Sequence, residues 1–105
     1  MKKSKPSPKK TETLKRLQVL YKGRVQGVGF RYTVDGIAQE TGVTGWVRNL
    51  PGGDVEVVME GSEPQINDTL ERIRLSAVGK HITKCSKNWQ DYRKEFTEFR
   101  VEFTY

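Results

Sequence analysis

Apolar and polar residues alternate in the first patterned part of the chain. Leu17, Val19 and Tyr21 alternate with Gln18, Leu20 and Lys22, a spacing typical of a half-buried β-strand. Residues 30–38 instead carry apolar side chains three and four positions apart, the spacing that gathers them on one face of a helix. Gly42 follows as a typical helix stop. The pattern therefore predicts a strand and then a helix ending near Gly42.

The next apolar segments predict a β-hairpin. Residues 45–49 and residues 54–60 both have the composition of strands, and the second is rich in valine. Residues 50–53 between them read Leu-Pro-Gly-Gly, a composition that favours a tight turn. The two strands are therefore expected to pair antiparallel.

A second helix is predicted to begin at Ser62, whose hydroxyl can cap free backbone amides. Its apolar residues continue at helical spacing, and Gly79 is the expected end. The pattern then becomes irregular. We expect a ragged strand, a loop at residues 89–95, and a final strand in which alternate residues of 99–103 are apolar.

The order of these elements defines the fold class. Strand, helix, strand, strand, helix, strand is the order of an α+β, ferredoxin-like split βαβ sandwich. This fold has an antiparallel sheet with two helices on one face. The 105 residues are enough for one such domain, which we place at residues 14–105.

Composition separates this domain from a basic tail. Residues 1–13 hold five lysines and one glutamate, so they carry +4 of the formal +6 charge and leave +2 for the rest. With little apolar surface, this tail is expected to be disordered. No apolar run is long enough to cross a membrane, and no apolar stretch follows the basic start as in a signal peptide. A lone cysteine, Cys85, suits a reducing compartment. We therefore expect a cytoplasmic protein with no membrane association.

The most informative segment is a glycine-rich loop between the first strand and the first helix. Three glycines in residues 23–29 can turn successive amides toward an anion, and the helix N-terminus adds its own free amides. Arg31 follows, with a planar fork that suits phosphate oxygens. The loop lacks the lysine followed by serine or threonine of a nucleotide P-loop, and Tyr32 stands where a dinucleotide fingerprint needs glycine. On spacing alone, an ordinary strand-to-helix turn is an equally good interpretation.

Two motifs together resemble the acylphosphatase family. Residues 25–31 read VQGVGFR, and residues 44–49 read TGWVRN before a valine-rich strand that ends in Glu-Gly. The resemblance is strong over residues 23–61. It implies an acylphosphatase, which hydrolyses the carboxyl-phosphate bond of a small acyl phosphate to a carboxylate and inorganic phosphate.

The resemblance also implies the roles of individual residues. Arg31 is expected to bind the substrate phosphate and Asn49 to orient the attacking water, although Asn49 by itself could be a turn residue before Pro51. The backbone amides of a phosphate-binding loop are expected to assist Arg31. The loop consists of Gln26, Gly27, Val28, Gly29, Phe30 and Arg31. No metal or cofactor is expected, inorganic phosphate should compete with substrate, and the enzyme should be a monomer.

Other residues are expected to be structural. His81 has no neighbouring residues in metal-ligand spacing, and Glu56 and Glu60 are predicted to lie on a solvated strand face. Trp46 and the phenylalanines near the C-terminus are interpreted as core or sheet-face residues.

Two other functions compete with hydrolysis. An RNA-recognition domain shares the topology, but its aromatic strand motif is missing, so no nucleic-acid binding is expected. A regulatory or carbamoyl-phosphate-handling domain of a larger enzyme is the second alternative.

Overall fold

A computed structural model describes residues 13–103, and the predicted tail lies outside this range except for Thr13. The chain forms a sheet with two helices. Its elements are β1 (Leu14–Gly23), α1 (Phe30–Thr41), β2 (Thr44–Asn49), β3 (Val55–Ser62), α2 (Glu63–Leu75), a short 3-10 helix (Gly79–His81), β4 (Ile82–Asp91) and β5 (Phe99–Glu102).

The five strands form one sheet in the order β4-β1-β3-β2-β5. The first four pair antiparallel, as the split βαβ arrangement requires. The expectation of a wholly antiparallel sheet was wrong, because β5 pairs parallel to β2. The reason is topological: the chain reverses after β4 and crosses to the far edge, where the reversed direction is that of β2. The α+β ferredoxin-like class is confirmed, with a mixed sheet.

The hydrophobic core lies between the sheet and both helices. Alternate residues of β1 and β3 point into it, and each helix contributes one apolar face. The largest fully buried apolar side chains are Phe30, Leu17, Met59, Ile66 and Ile73. This arrangement fixes the first turn of α1 against the sheet, since Phe30 is the first residue of that helix.

The second helix begins as predicted but ends earlier. Ser62 accepts from the amide of Gln65, and the Gln65 side chain accepts from the amide of Ser62, which completes a capping box. The helix ends at Leu75, four residues before the expected Gly79. Gly79 instead begins the 3-10 helix, where a Cβ atom would lie 2.0 Å from the carbonyl oxygen of Arg74. The glycine therefore permits a close backbone approach and does not end the helix.

β4 is longer and more regular than predicted. It pairs with β1 along most of its ten residues and includes Trp89, which was expected in a loop. Its residues do not alternate in polarity because β4 is an edge strand, exposed or half-exposed on both faces. Periodicity cannot reveal such a strand, since neither side is fully buried.

The face of the sheet opposite the helices is partly covered by the chain itself. The backbone amides of Arg93 and Glu95, in the connection between β4 and β5, donate to the carboxylate of Glu60 at 2.9 and 3.0 Å. Glu60 is 2% exposed, and Glu56 on the same face is 6% exposed. The prediction that both lie on a solvated face was therefore wrong. Alternation placed them opposite the core correctly but could not show what covers that face.

Candidate active site

The loop between β1 and α1 leads directly into the N-terminus of α1, where the first backbone amides of a helix have no partner within the helix. Gly27 and Gly29 both adopt φ +79°, a conformation that favours glycine. Gly29 caps α1 without a side-chain hydrogen bond, and the first turn carries no acidic residue. By contrast, α2 has a full capping box and Glu63 in its first turn. The N-terminus of α1 is therefore open to an anion, where free amides and the helix dipole favour negative charge.

Arg31 extends from this first turn and is held by β5. One terminal nitrogen, Nη1, donates to the carbonyl oxygen of Glu102 at 3.3 Å. The guanidinium also lies over the ring of Phe103, 5.1 Å from its centroid. These contacts use one nitrogen and one face of the guanidinium, so its other N–H groups can donate hydrogen bonds to an anion.

Asn49 reaches the site from the end of β2. Its Oδ1 atom is buried, and within residues 13–103 no donor lies within hydrogen-bonding distance of it. Buried polar atoms are nearly always paired, so an unpaired oxygen calls for a missing partner. A water molecule is a natural partner for this oxygen.

Arg31 and Asn49 line the same cavity, which has a volume of about 280 Å³. Of the six residues of the predicted loop, the cavity contacts four. Val28 is instead 39% exposed, and the side chain of Gln26 takes a different direction. The lining residues are Val25, Gly27, Gly29, Phe30, Arg31, Tyr32 and Asn49. The structure thus brings an arginine fork, helix-terminal amides and an unpaired amide oxygen to one small cavity.

The side chain of Gln26 connects the two halves of the site. Its Nε2 donates to the carbonyl oxygens of Leu50 and Asp54, each at 2.8 Å. These residues flank the turn after β2, whose last residue is Asn49. Gln26 therefore fixes the loop that precedes Arg31 to the turn that follows Asn49. Sequence reasoning considered only the backbone of Gln26, and no sequence signal marks this bridge.

Phe103 is a second residue whose position was not foreseen. Alternation with Phe99 and Val101 suggested a core or sheet-face residue, and Phe99 is indeed buried. Phe103, however, is 64% exposed and lies beside Arg31. Phe103 directly follows Glu102, the last residue of β5, and this position brings its ring to the candidate site.

A larger cavity of about 590 Å³ lies between α2 and β4. Its residues include Tyr21, Arg74, Lys84 and Cys85, and burial raises the pKa of both the Tyr21 hydroxyl and the Cys85 thiol. Raised pKa values keep both groups protonated and weakly nucleophilic at neutral pH. Size alone does not make this cavity the active site. The smaller cavity has the convergent phosphate-directed groups.

No cluster of three or more His, Cys, Asp and Glu side chains that could hold a metal ion occurs in residues 13–103. In the same range no helix is long and apolar enough to cross a membrane. His81 belongs to the 3-10 helix, and its carbonyl oxygen accepts from the amide of Arg24.

The sequence profile of the acylphosphatase family matches residues 17–101. The chain belongs to the acylphosphatase family. The acylphosphatase of Syntrophus aciditrophicus is 41% identical over 91 residues, covering 84% of this chain and 92% of that protein. The crystal structure of acylphosphatase from Bacillus subtilis has a TM-score of 0.76 and 30% identity, covering 86% of this chain and 99% of that one. The predicted activity, hydrolysis of acyl phosphates, is confirmed at the level of the family.

The acylphosphatase fold also occurs within a much larger protein. Full-length HypF, solved in a phosphate- and nucleotide-bound form, matches with a TM-score of 0.79 and 28% identity. The match covers 89% of this chain but 12% of HypF. The similarity to the Bacillus subtilis acylphosphatase instead extends over nearly the whole of both chains.

Proposed function

We propose that Arg31 and the loop amides of residues 26–30 bind the phosphoryl group of an acyl phosphate while Asn49 orients the attacking water. The observation that carries this proposal is the buried, unpaired Oδ1 of Asn49 in the cavity that Arg31 also lines. An acceptor placed there can hold a water molecule through one of its hydrogens. The oxygen of that water would then face the phosphoryl group bound at the N-terminus of α1.

The reaction is a displacement at phosphorus. The water oxygen forms a bond to phosphorus, and the bond from phosphorus to the bridging oxygen breaks. The acyl group leaves as a carboxylate with the bonding electrons, and the proton of the water passes to phosphate or solvent. Because a carboxylate is a good leaving group, positioning and charge stabilisation are the main requirements. Arg31 and the loop amides supply the positive charge, so we propose that the reaction needs no metal or cofactor.

The same groups should bind inorganic phosphate, the product. We therefore propose that phosphate is a competitive inhibitor. We also propose that the enzyme is cytoplasmic, as its single cysteine suits a reducing compartment. We further propose that the protein does not bind nucleic acid, since its sequence lacks the aromatic strand motif of RNA-recognition domains.

An assay with benzoyl phosphate tests the proposal. Hydrolysis should continue at the same rate in EDTA, and phosphate should raise the apparent KM at constant ionic strength without lowering kcat. Loss of activity in EDTA with recovery on adding Mg²⁺ or Zn²⁺ would contradict the metal-free mechanism. If phosphate at high concentration did not inhibit hydrolysis, the assignment of the loop as the phosphate-binding site would be wrong. A purified chain without any hydrolytic activity would favour a regulatory domain instead.

A further inference from the structure

Two aromatic side chains stand exposed next to each other at the candidate site. Tyr32 is 61% exposed and Phe103 is 64% exposed, and their ring centroids lie 6.5 Å apart at an angle of 49°. We call this pair the aromatic shelf. Single exposed apolar residues are common, whereas contiguous exposed apolar surface more often marks a binding site.

The aromatic shelf borders the cavity that holds the proposed catalytic groups. Tyr32 lines the cavity together with Arg31 and Asn49, and Phe103 lies against the guanidinium of Arg31. Both rings come from backbone that already serves the site, since Tyr32 is in the first turn of α1 and Phe103 follows β5. The position of the shelf is therefore fixed relative to Arg31.

The chemistry of the substrate indicates what the shelf contacts. In an acyl phosphate, a single bridging oxygen separates phosphorus from the acyl carbon. When Arg31 and the loop amides hold the phosphoryl group, the acyl group must lie within a few bond lengths, at the mouth of the cavity. The other lining residues near Arg31 are glycines, Asn49 and the buried Val25 and Phe30. Val28 on the same loop is exposed but does not line the cavity, whereas the two rings of the shelf lie beside Arg31.

We propose that Tyr32 and Phe103 form the subsite for the acyl group, and that the enzyme favours acyl phosphates with an aromatic or extended apolar acyl group. This inference rests on the proposed function of the cavity. The rings offer flat apolar surface that a benzoyl group can cover by stacking or edge contact. An acetyl group is too small to cover much of either ring.

Paired substrates test the subsite. The ratio of kcat/KM for benzoyl phosphate to that for acetyl phosphate is measured in the wild type, Tyr32→Ala, Tyr32→Phe and Phe103→Ala. Comparing ratios cancels the different intrinsic reactivities of the two compounds. Tyr32→Ala should lower the ratio about tenfold, the usual scale for lost apolar contact in a specificity pocket. Tyr32→Phe should have the same ratio as the wild type, because phenylalanine keeps the aromatic ring.

Two controls separate the subsite from general damage. Tyr92→Ala removes an exposed aromatic residue from the connection before β5, and it should leave the ratio unchanged. Phosphate has no acyl group, so its inhibition constant should change little in Tyr32→Ala. Phe103→Ala should lower the ratio and also weaken phosphate inhibition, because Arg31 loses the ring beneath it.

The outcomes distinguish the two levels of the proposal. In one outcome, the wild type hydrolyses both substrates while Tyr32→Ala shows the same ratio of kcat/KM values as the wild type. That result would overturn the subsite and leave the proposed function unaffected. An equal loss for both substrates would also overturn it, since that pattern indicates a role in phosphoryl binding or folding. Failure of the wild type to hydrolyse either compound would overturn the proposed function and the subsite with it.

Discussion

Arg31 and Asn49 reach one cavity from different parts of the chain, and each is supported differently. Arg31 is braced by the Glu102 carbonyl and the Phe103 ring, so its fork is oriented before substrate arrives. Asn49 has a fixed backbone position at the end of β2 but an unpaired side-chain oxygen. One residue is thus preorganised by protein contacts, and the other leaves an acceptor for a water molecule.

Substituting these two residues should produce different kinetic defects. Arg31→Ala should lower kcat/KM by about 10³ to 10⁵ and weaken phosphate inhibition, because arginine contacts the phosphoryl group before and during the reaction. Asn49→Ala should lower kcat by about 10² or more and leave phosphate inhibition nearly intact, since it acts on the water. Steady-state kinetics with benzoyl phosphate and phosphate inhibition constants measure both effects.

Arg24→Ala is the matched control for charge, because Arg24 is exposed on the same loop. Its kinetics should resemble the wild type, and circular dichroism and thermal melts should confirm that each variant is folded. Normal turnover in Asn49→Ala, or normal phosphate binding in Arg31→Ala, would remove the corresponding assignment.

Gln26 should affect catalysis without contacting substrate through its side chain. In Gln26→Ala the loop loses two hydrogen bonds to the turn after Asn49, which allows Arg31 and Asn49 to move apart. Because small misplacements are costly in a preorganised site, kcat should fall by about 10-fold to 100-fold. Gln18→Ala is the control: Gln18 donates to Glu56 at 2.6 Å on the opposite side of the sheet. If both variants lose the same activity, Gln26 has no special positioning role.

At the scale of elements, β5 supports the site although it is short. It has four residues, pairs only with β2, and still supplies the carbonyl that holds Arg31. The connection that leads into it is anchored by Glu60, which accepts from two of its backbone amides. Arg16 completes this buried cluster, with Nη1 3.2 Å from Glu60 and 2.7 Å from Glu95. The cluster therefore stabilises the path of the chain from β4 to β5.

Glu60→Ala should destabilise the protein strongly. It leaves Arg16, which is 7% exposed, without its buried partner, and it leaves two backbone amides without an acceptor. Removing one member of a buried ion pair typically costs about 3 to 5 kcal/mol. Urea unfolding measures the change. Glu71→Ala, which removes an exposed pair with Arg74, should change the unfolding midpoint little. Similar midpoints for the two variants would show that the Glu60 cluster does not anchor the connection.

Elements that follow regular periodicity could be predicted, whereas those stabilised by distant contacts could not. The core face of β1, the start of α1 and the capping box of α2 rest on local spacing and local hydrogen bonds. β4 was missed as a regular strand because an edge strand lacks a buried side. Burial of Glu60 was missed because its partners lie more than thirty residues away. Arg31, Asn49 and the loop residues of the cavity were named from family motifs, but Tyr32 in the lining, the Gln26 bridge and the position of Phe103 required the tertiary structure.

At the scale of the whole molecule, the exposed edges of the sheet decide whether two copies of the chain can pair. β4 is the longer exposed edge, and Lys84 and Lys87 are exposed on it. Lysines on an edge strand oppose pairing with a second copy, since like charges would meet. We therefore expect light scattering to give the mass of one chain at all concentrations. Replacing both lysines with valine should promote association. A concentration-dependent dimer in the wild type would contradict this expectation.

Deleting residues 1–13 should leave stability and turnover nearly unchanged. The segment holds five lysines and little apolar surface, so it has few groups with which to pack on a domain. The first strand begins at Leu14, and its pairing with β3 starts at that residue. Thermal melts and kcat at saturating benzoyl phosphate compare the full chain with residues 14–105. A variant that keeps all thirteen residues but replaces the five lysines with glutamine separates charge from length. A large loss of thermal stability or of kcat in the truncated protein would show that the segment packs against the acylphosphatase domain.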